Sequence, residues 1–453
     1  MKISKRVLMV AYLFPPLGGI GAVRTLKFAQ HLPSSGWEPY VLTVKNGFGY
    51  VTWNLSDIQC SCKVFRTSSF EFLKWTALLK RKLKKSSQVD GELPKTKPRT
   101  NLLVRHYKSF RETIERRLFI PDDKMFWIPS AIYRGLKIIK NYDIDLIYCS
   151  GGPFSSFFIG YALKRITNLP LVLDFRDPWI DNPYLEKKIR WVEGIERNLA
   201  KKITSAADLC LTVNPHCKNY ICDSLPNIDE GKFFVVPNGI DYEDFKKPKN
   251  DEIKPYEKFT ILYTGTFYPP LPDSFLYGLR KLIDDHPSIK SEVQFITYSG
   301  LWRDESIKLI KKLELDDNIR IKNFIPRNEA FKELFNAHLL LITSNLLSNG
   351  TVAYFSPTKF FEYVLTDKPI FALAGQGALA DLIKSTETGQ VVSPDSPEAI
   401  ANTLYEFYRR YLRRELYVKP NQDVLATYDR RRLTKNLAEY FDSCLDNKKI
   451  VEE

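Results

Sequence analysis

Short apolar runs alternate with segments of helical spacing along almost the whole chain, the pattern of βα units wound around parallel sheets. Arg6–Ala11 predicts a first strand, Ala22–Leu32 a helix stopped by Pro33, and Tyr40–Val44 a second strand. Further strands are expected at Leu146–Cys149, Leu171–Asp174, Leu209–Val213 and Phe233–Val236. The pattern then pauses. Residues 246–258 (KKPKNDEIKPYEK) are charged and carry two prolines, the composition of an interdomain linker. Beyond them FTILYTG (259–265), VQFITYSG (293–300), IRIKNF (319–324), LLLIT (339–343) and PIFAL (369–373) predict five more strands separated by helical stretches. The expected class is α/β with two doubly wound, Rossmann-like domains: residues 1–245, a linker over 246–258, and residues 259–421. Residues 422–444 have the length of a terminal helix.

A chain of 453 residues exceeds what one core supports, which agrees with two domains. It contains no apolar run approaching ~18 residues, so no spanning helix is expected. The start, MKISKRVLMVAYLFPP, breaks at Pro15 and lacks a small-residue cleavage site; it reads as a core strand, and the expectation is a cytoplasmic protein. Seven cysteines (60, 62, 149, 210, 217, 222, 444) form no C-x-x-C pair. Reduced thiols are expected, with Cys149 and Cys210 packed as small apolar residues. The net charge of +14 calls for an anionic partner: a polyanion, an acidic membrane face or a phosphorylated small molecule. Neither zinc-finger spacing nor an RNP-like aromatic motif is present, so nucleic acid is not expected. Lys74–Lys85 (KWTALLKRKLKK), drawn as a helix, gathers Trp75, Leu78, Leu79 and Leu83 on one side and most of its cations on the other. Both an anionic membrane contact and an ordinary basic surface helix fit that pattern.

Three stretches carry candidate chemistry. YLFPPLGGIGAVRTLKFAQHL (12–32) sets a glycine-rich turn between a strand and a helix, the arrangement that presents backbone N–H groups to a phosphate. Arg24 occupies the third glycine position of a dinucleotide fingerprint, which leaves either an anion site near Gly19, Gly21 and Arg24 or a tight turn without ligand. SPTKFFEYVLTDKPIFAL (356–373) predicts a helix capped by Ser356, opened by Pro357 and ended before Pro369. Lys359 then falls in the first turn, where the helix dipole disfavours a cation unless both grip one phosphate. Glu362, one turn on, is suited to accept hydrogen bonds from a ribose diol; a solvated Lys/Glu pair is the alternative. LVLDFRDPWID (171–181) puts Asp174, Arg176 and Asp177 at the C-terminal end of a strand, where open α/β sheets bind ligands, or else as an Arg/Asp pair pinning a loop. Asp143 and Asp145 have D-x-D spacing but precede their strand, so no metal role is expected there.

In this order the segments resemble a retaining family 4 glycosyltransferase of the GT-B fold, of the bacterial surface-polysaccharide kind. The matching stretches are the proline-then-glycine loop and its helix, DLIYCSGGPFSSFFIGYALKR with VLDFRDPW, VVPNGIDYEDF, LYTGTF and SPTKFFEYVLTDKPIFAL. The resemblance implies two Rossmann-like domains facing across a cleft, an acceptor-side first domain, a donor-side second one, and the terminal helix packed back on the first. It implies donor contacts from Gly19, Gly21, Gly265, Thr266, Ser356 and Thr358, with Arg24 as a phosphate contact. Glu362 would hold the ribose, and Lys359 would stabilise the departing diphosphate. Asp177 would orient the acceptor or stabilise an oxocarbenium-like centre, with Asp174 and Arg176 beside it. The family often has a second glutamate at the position of Tyr354, and a cation that TGTFYPPLPD lacks; Arg24, Arg176 and Arg303 are the candidate replacements. The implied activity is transfer of a sugar from a nucleotide-diphosphate sugar to a hydroxyl acceptor with retention, without metal or cofactor. The acceptor would be a glycan or lipid-linked glycan, met at the inner face of the plasma membrane through Lys74–Lys85. A nucleotide-sugar 2-epimerase and a non-catalytic nucleotide-sugar-binding subunit are the alternatives.

Overall fold

The computed structural model describes residues 5–18, 20–45, 47, 62–70, 119–183, 185, 187–244, 247–249, 251–265, 271–298, 304–323, 325–344 and 353–452. Gly19, Thr266, Arg303 and the whole of Lys74–Lys85 lie outside them. The chain divides into two compact units. Unit 1 comprises residues 1–213, 217–236 and 434–453; unit 2 comprises 214–216 and 237–433.

Unit 1 is built on seven parallel strands: β1 (Lys5–Val10), β2 (Trp37–Val44), β3 (Lys63–Thr67), β4 (Leu146–Ser150), β5 (Leu171–Phe175), β6 (Leu209–Thr212) and β7 (Phe233–Val235). They lie in the order β3-β2-β1-β4-β5-β6-β7, so the direction of winding reverses between β1 and β4. The inner strands are continuous apolar runs because helices cover both faces. These helices are α1 (Ile20–His31), α2 (Ile128–Tyr142), α3 (Ser155–Thr167), α4 (Arg190–Ala206) and α5 (Pro215–Ser224). Val10 stands opposite both Leu42 and Cys149, so β1, β2 and β4 deliver their following loops to one edge of the sheet.

Unit 2 has six parallel strands: β8 (Phe259–Thr264), β9 (Val293–Tyr298), β10 (Ile319–Lys322), β11 (Leu339–Thr343), β12 (Ile370–Leu373) and β13 (Gly389–Val392). Their order, β10-β9-β8-β11-β12-β13, reverses between β8 and β11. Among its helices are α6 (Leu271–Asp285), α7 (Asp304–Lys312), α8 (Arg327–Asn336), α9 (Phe360–Tyr363), α10 (Ala378–Thr386), α11 (Pro397–Leu412), α12 (Gln422–Ala426) and the start of α13 (Arg430–Glu452). Both sheets are thus doubly wound, as expected, and none of the described helices is long and apolar enough to cross a membrane.

The structure corrects several expectations. The first domain ends at Val236 rather than 245, because Ile240 is buried in the unit 2 core and its backbone bonds Tyr428 and Arg430. The terminal helix is two helices, broken by a turn at residues 427–429. From Thr434 onward the chain belongs to unit 1, where Phe441 packs edge-on against Trp37 (5.2 Å) and Asp442 accepts from Trp37 Nε1 (2.9 Å) and pairs with Lys5 (2.7 Å). The thiols of Cys149 and Cys210 are fully buried, and burial pushes both well above the ordinary cysteine range. Cys62, by contrast, is disulfide-bonded.

Candidate functional site

In unit 1 the loops after β1, β4 and β5 converge at the switch point, the place where open α/β sheets take ligands. Arg176, the residue after β5, reaches across this edge. Its Nε donates to Gly151 O (2.7 Å) and its Nη2 to Gly152 O, both in the loop after β4. A Cβ built on Gly21, at the start of α1, would fall inside the Arg176 guanidinium. Gly21 is therefore needed for the close approach of a cation. Asp177 follows, with Gly152 beside its carboxylate. Burial raises the Asp177 carboxyl above its ordinary value, against the pull of Arg176. A half-buried carboxylate and a guanidinium thus share one edge, a pair suited to holding a hydroxyl-bearing ligand.

The edge is braced from below and from the side. Trp179 stacks on Phe154 (5.3 Å, 6° between planes) and its Nε1 donates to Glu196 Oε1 (3.0 Å). The same oxygen accepts from Lys188 Nζ (2.7 Å), which also donates to the carbonyls of Phe119 and Pro121. Asp122 caps α3 from a distant loop, accepting from Ser155 N (3.0 Å) and Oγ (2.6 Å).

Two expected contacts are corrected here. Arg24 is 1% exposed, and its Nε and Nη2 grip the two oxygens of Asp174 at 2.8 and 2.9 Å. Asp174 is itself fully buried and also accepts from Tyr148 Oη (2.5 Å). The Arg24 guanidinium packs over the Phe28 ring, 4.8 Å from its centroid. Burial opposes its charge, but Asp174 outweighs burial and holds its pKa above the ordinary value. Arg24 and Asp174 form an internal ion pair beneath the edge, so neither is presented to a phosphate or an acceptor. Asp143 and Asp145 sit at the opposite edge, where Asp145 accepts from Arg6 N (2.7 Å).

Unit 2 repeats the device. Gly265, after β8, has φ +98°, and a Cβ there would stand 3.1 Å from Lys359 Nζ. Lys359 lies 4.0 Å over the centroid of the Tyr263 ring and donates to Thr264 O (2.6 Å). Tyr363, fully buried, presents its hydroxyl to Thr264 N and Oγ1 (3.3 and 3.2 Å). The Gly265 amide itself donates to Tyr298 O (3.1 Å), so this glycine contributes space for the cation, with its own N–H already used.

The expected helix over 356–368 is shorter. α9 begins at Phe360 and passes after one turn into a 3₁₀ segment, Val364–Thr366. Ser356 is not its cap. Phe360 N and Phe361 N instead bond the carbonyls of Pro357 and Thr358, and Lys359 holds the cap position. So short a helix carries little dipole, which leaves the Lys359 ammonium as the main positive group of this loop. Tyr354, in the position where a carboxylate was sought, is 2% exposed. Glu362 is held by Arg327, which donates to its Oε1 (Nε 2.9 Å, Nη2 2.8 Å). Nothing in the sequence points to Arg327, which stands at the start of α8 far from the SPTKFFE stretch. Gly151 and Gly152 were legible only as part of the SGGPF stretch.

Residues 97–244 match the profile of Glycosyltransferase Family 4, a region ending within the loop that follows β7. No curated protein matches. Among solved structures the chain resembles the N-terminal domain of trehalose-6-phosphate phosphatase from Candida albicans (13% identity, 98% of each chain, TM-score 0.61). It also resembles sucrose-phosphate synthase from Thermosynechococcus elongatus (12%, 99% and 98%, 0.56). A third is a mutant of S. aureus TarM in complex with Fondaparinux, alpha-GlcNAc-glycerol and UDP (12%, 98% of each chain, 0.54). At these identities the likeness is one of fold, and it extends over nearly all of each chain.

Proposed function

We propose that this chain, which carries a family 4 glycosyltransferase region over residues 97–244, moves a sugar from a nucleoside-diphosphate sugar to a hydroxyl acceptor with retention at the anomeric carbon. The observation that carries the reading is the cation set over a glycine at the switch point of each sheet, Arg176 at Gly21 and Lys359 at Gly265. Unit 2 is the donor half. As the bond from anomeric carbon to diphosphate oxygen breaks, the electron pair leaves with the diphosphate, and Lys359 meets the growing charge. Glu362, steadied by Arg327, accepts from the ribose hydroxyls. Unit 1 is the acceptor half, where Asp177 orients the incoming hydroxyl, whose oxygen bonds the anomeric carbon as its proton passes to the departing diphosphate, and Arg176 fixes the loops around it. The reading assigns no metal or cofactor, and its acceptor is a glycan or lipid-linked glycan.

Removing one preorganised group of this kind costs ~3 kcal/mol, on the order of a hundredfold in rate. Lys359→Ala is expected to lose turnover by about that factor while keeping its melting temperature; near-normal turnover would remove Lys359 from the mechanism. A thermal-shift screen against nucleotide sugars identifies the donor, which raises the midpoint by mass action. Incubating that donor without acceptor then separates the classes: an epimerised donor means an epimerase, and binding without turnover over an acceptor panel means a non-catalytic subunit. Inverted configuration in the product glycoside would overturn retention.

A further inference from the structure

The helix that follows Arg176 and Asp177 in the chain presents an apolar face to solvent. α4 buries Val192, Glu196 and Ala200 against unit 1. On its other side Trp191 is 62% exposed and Ile195 45%, and in the approach to the helix Leu185 is 59% and Ile189 39% exposed. Four large apolar residues within eleven positions do not occur on a surface by the scatter of single exposed hydrophobes. Gly194 lies in the same exposed stripe, with nothing within 4 Å of where its Cβ would be. A mid-helix glycine destabilises a helix relative to alanine, and among the described residues no neighbour accounts for it.

The surroundings of this face select its partner. Lys187 and Arg190 are exposed between the apolar residues, and Lys202 continues the exposed stripe one face-turn on. Among the described residues neither Lys187 nor Arg190 is ion-paired. An isologous contact with a second copy would set these cations against their own counterparts, in a chain already at +14. An anionic headgroup layer over hydrocarbon matches both halves of the pattern, and tryptophan is favoured at that boundary. The face is also rigidly mounted, since Lys188 on its approach and Trp179 beside Asp177 are tied to one oxygen of Glu196.

We propose that Leu185, Ile189, Trp191 and Ile195 seat unit 1 on the surface of an anionic lipid bilayer, with Lys187 and Arg190 at the headgroups. The proposed residues are other than those of Lys74–Lys85, and the proposal is independent of the transfer reading, since its test uses no nucleotide sugar. The full chain is sedimented with phosphatidylcholine vesicles made with and without phosphatidylglycerol. Wild type is expected to bind the anionic vesicles at least about tenfold more tightly. Trp191→Glu/Ile195→Glu should lose about tenfold or more of that binding with an unchanged melting temperature, because both side chains are exposed. Lys187→Glu/Arg190→Glu should lose the preference for anionic lipid. Wild-type binding that ignores lipid charge, or a Trp191/Ile195 variant that binds like wild type, overturns the proposal. A wild-type dimer that the same variant renders monomeric, with vesicle binding unchanged, overturns it in favour of a second copy.

Discussion

Asp174→Asn tests whether Arg24 is an internal ion-pair partner or a ligand for phosphate. The substitution keeps shape and removes charge. Oδ2 of Asp174 accepts from Arg24 Nε and Tyr148 Oη, and Oδ1 accepts from Arg24 Nη2, so all three contacts need an acceptor. An asparagine must turn its NH₂ toward one of these donors whichever way it is placed. The guanidinium, 1% exposed, then keeps its charge and loses the counter-ion that Asp174 supplies. Breaking a buried pair in this way costs about 3–5 kcal/mol. In a unit of roughly 250 residues each kcal/mol moves the midpoint by about 2–4 °C, so a fall on the order of 10 °C is expected. Removing the three polar groups together, as Arg24→Met/Asp174→Leu/Tyr148→Phe, should recover most of that loss, because the ion pair and the tyrosine donor are removed with each other. Thermal and urea denaturation of the three proteins decide the matter. Should Asp174→Asn melt within a degree or two of wild type and instead weaken nucleotide binding, the ion-pair assignment is wrong and Arg24 is a ligand.

Gly21→Ala separates fold from function. The helical backbone at Gly21 suits alanine, so any loss of stability should be confined to the displaced contacts of Arg176, about 1–3 kcal/mol, while kcat/KM falls at least about tenfold; a large loss of melting temperature with intact activity would contradict this. Asp177→Asn should lower kcat and abolish the acid limb of the pH–rate profile, which in wild type lies above the ordinary aspartate range because burial raises that carboxyl. His338 supplies a stability prediction. Burial, with Lys368 nearby, lowers its pKa to about 4, and its Nδ1 accepts from Thr260 N (3.1 Å). The unfolded imidazole takes a proton below about 6.5 and the folded one resists it, so this contribution is full above that pH and is lost as pH falls toward 4. Midpoints measured across that window should fall less steeply in His338→Asn than in wild type.

What the sequence made legible follows burial. The nine inner strands stand out as apolar runs because both faces of an inner parallel strand are covered, and of the four edge strands β7 and β10 were legible as well. The two left unread, β3 and β13, are edge strands in which nearly every residue is half-exposed, so KVFRT and GQVV carry no apolar signal. The helix at Ser356 misled for a related reason. Its capping residues suit a start there, yet the burial of Phe360, Phe361 and Tyr363 fixes where the turn begins, and packing outweighs a local cap. The ion pair of Arg24 with Asp174 and the clasp of Arg327 on Glu362 join residues far apart in the chain, and no local pattern announces either. Gly21 was expected to let backbone approach the donor, and Gly265 to face its diphosphate. That the approaching group is a cation of the protein itself became clear only when Arg176 and Lys359 were located beside them.

The return of the chain to unit 1 at Thr434 makes unit 2 an insertion, threaded between β7 and the last helix. The protein is therefore not two beads on a string. A fragment cut after Val236 would lack Leu437 and Phe441, both fully buried, and would bare the faces of Trp37 and Tyr148 that Phe441 covers. Losing one such aromatic anchor alone costs about 3–5 kcal/mol. Exchange of unit 2 between chains of this fold then needs two crossovers, one on each side of residues 237–433. A single recombination at the proline-containing stretch 246–258 would transplant the final helix as well and leave unit 1 wearing a foreign cap.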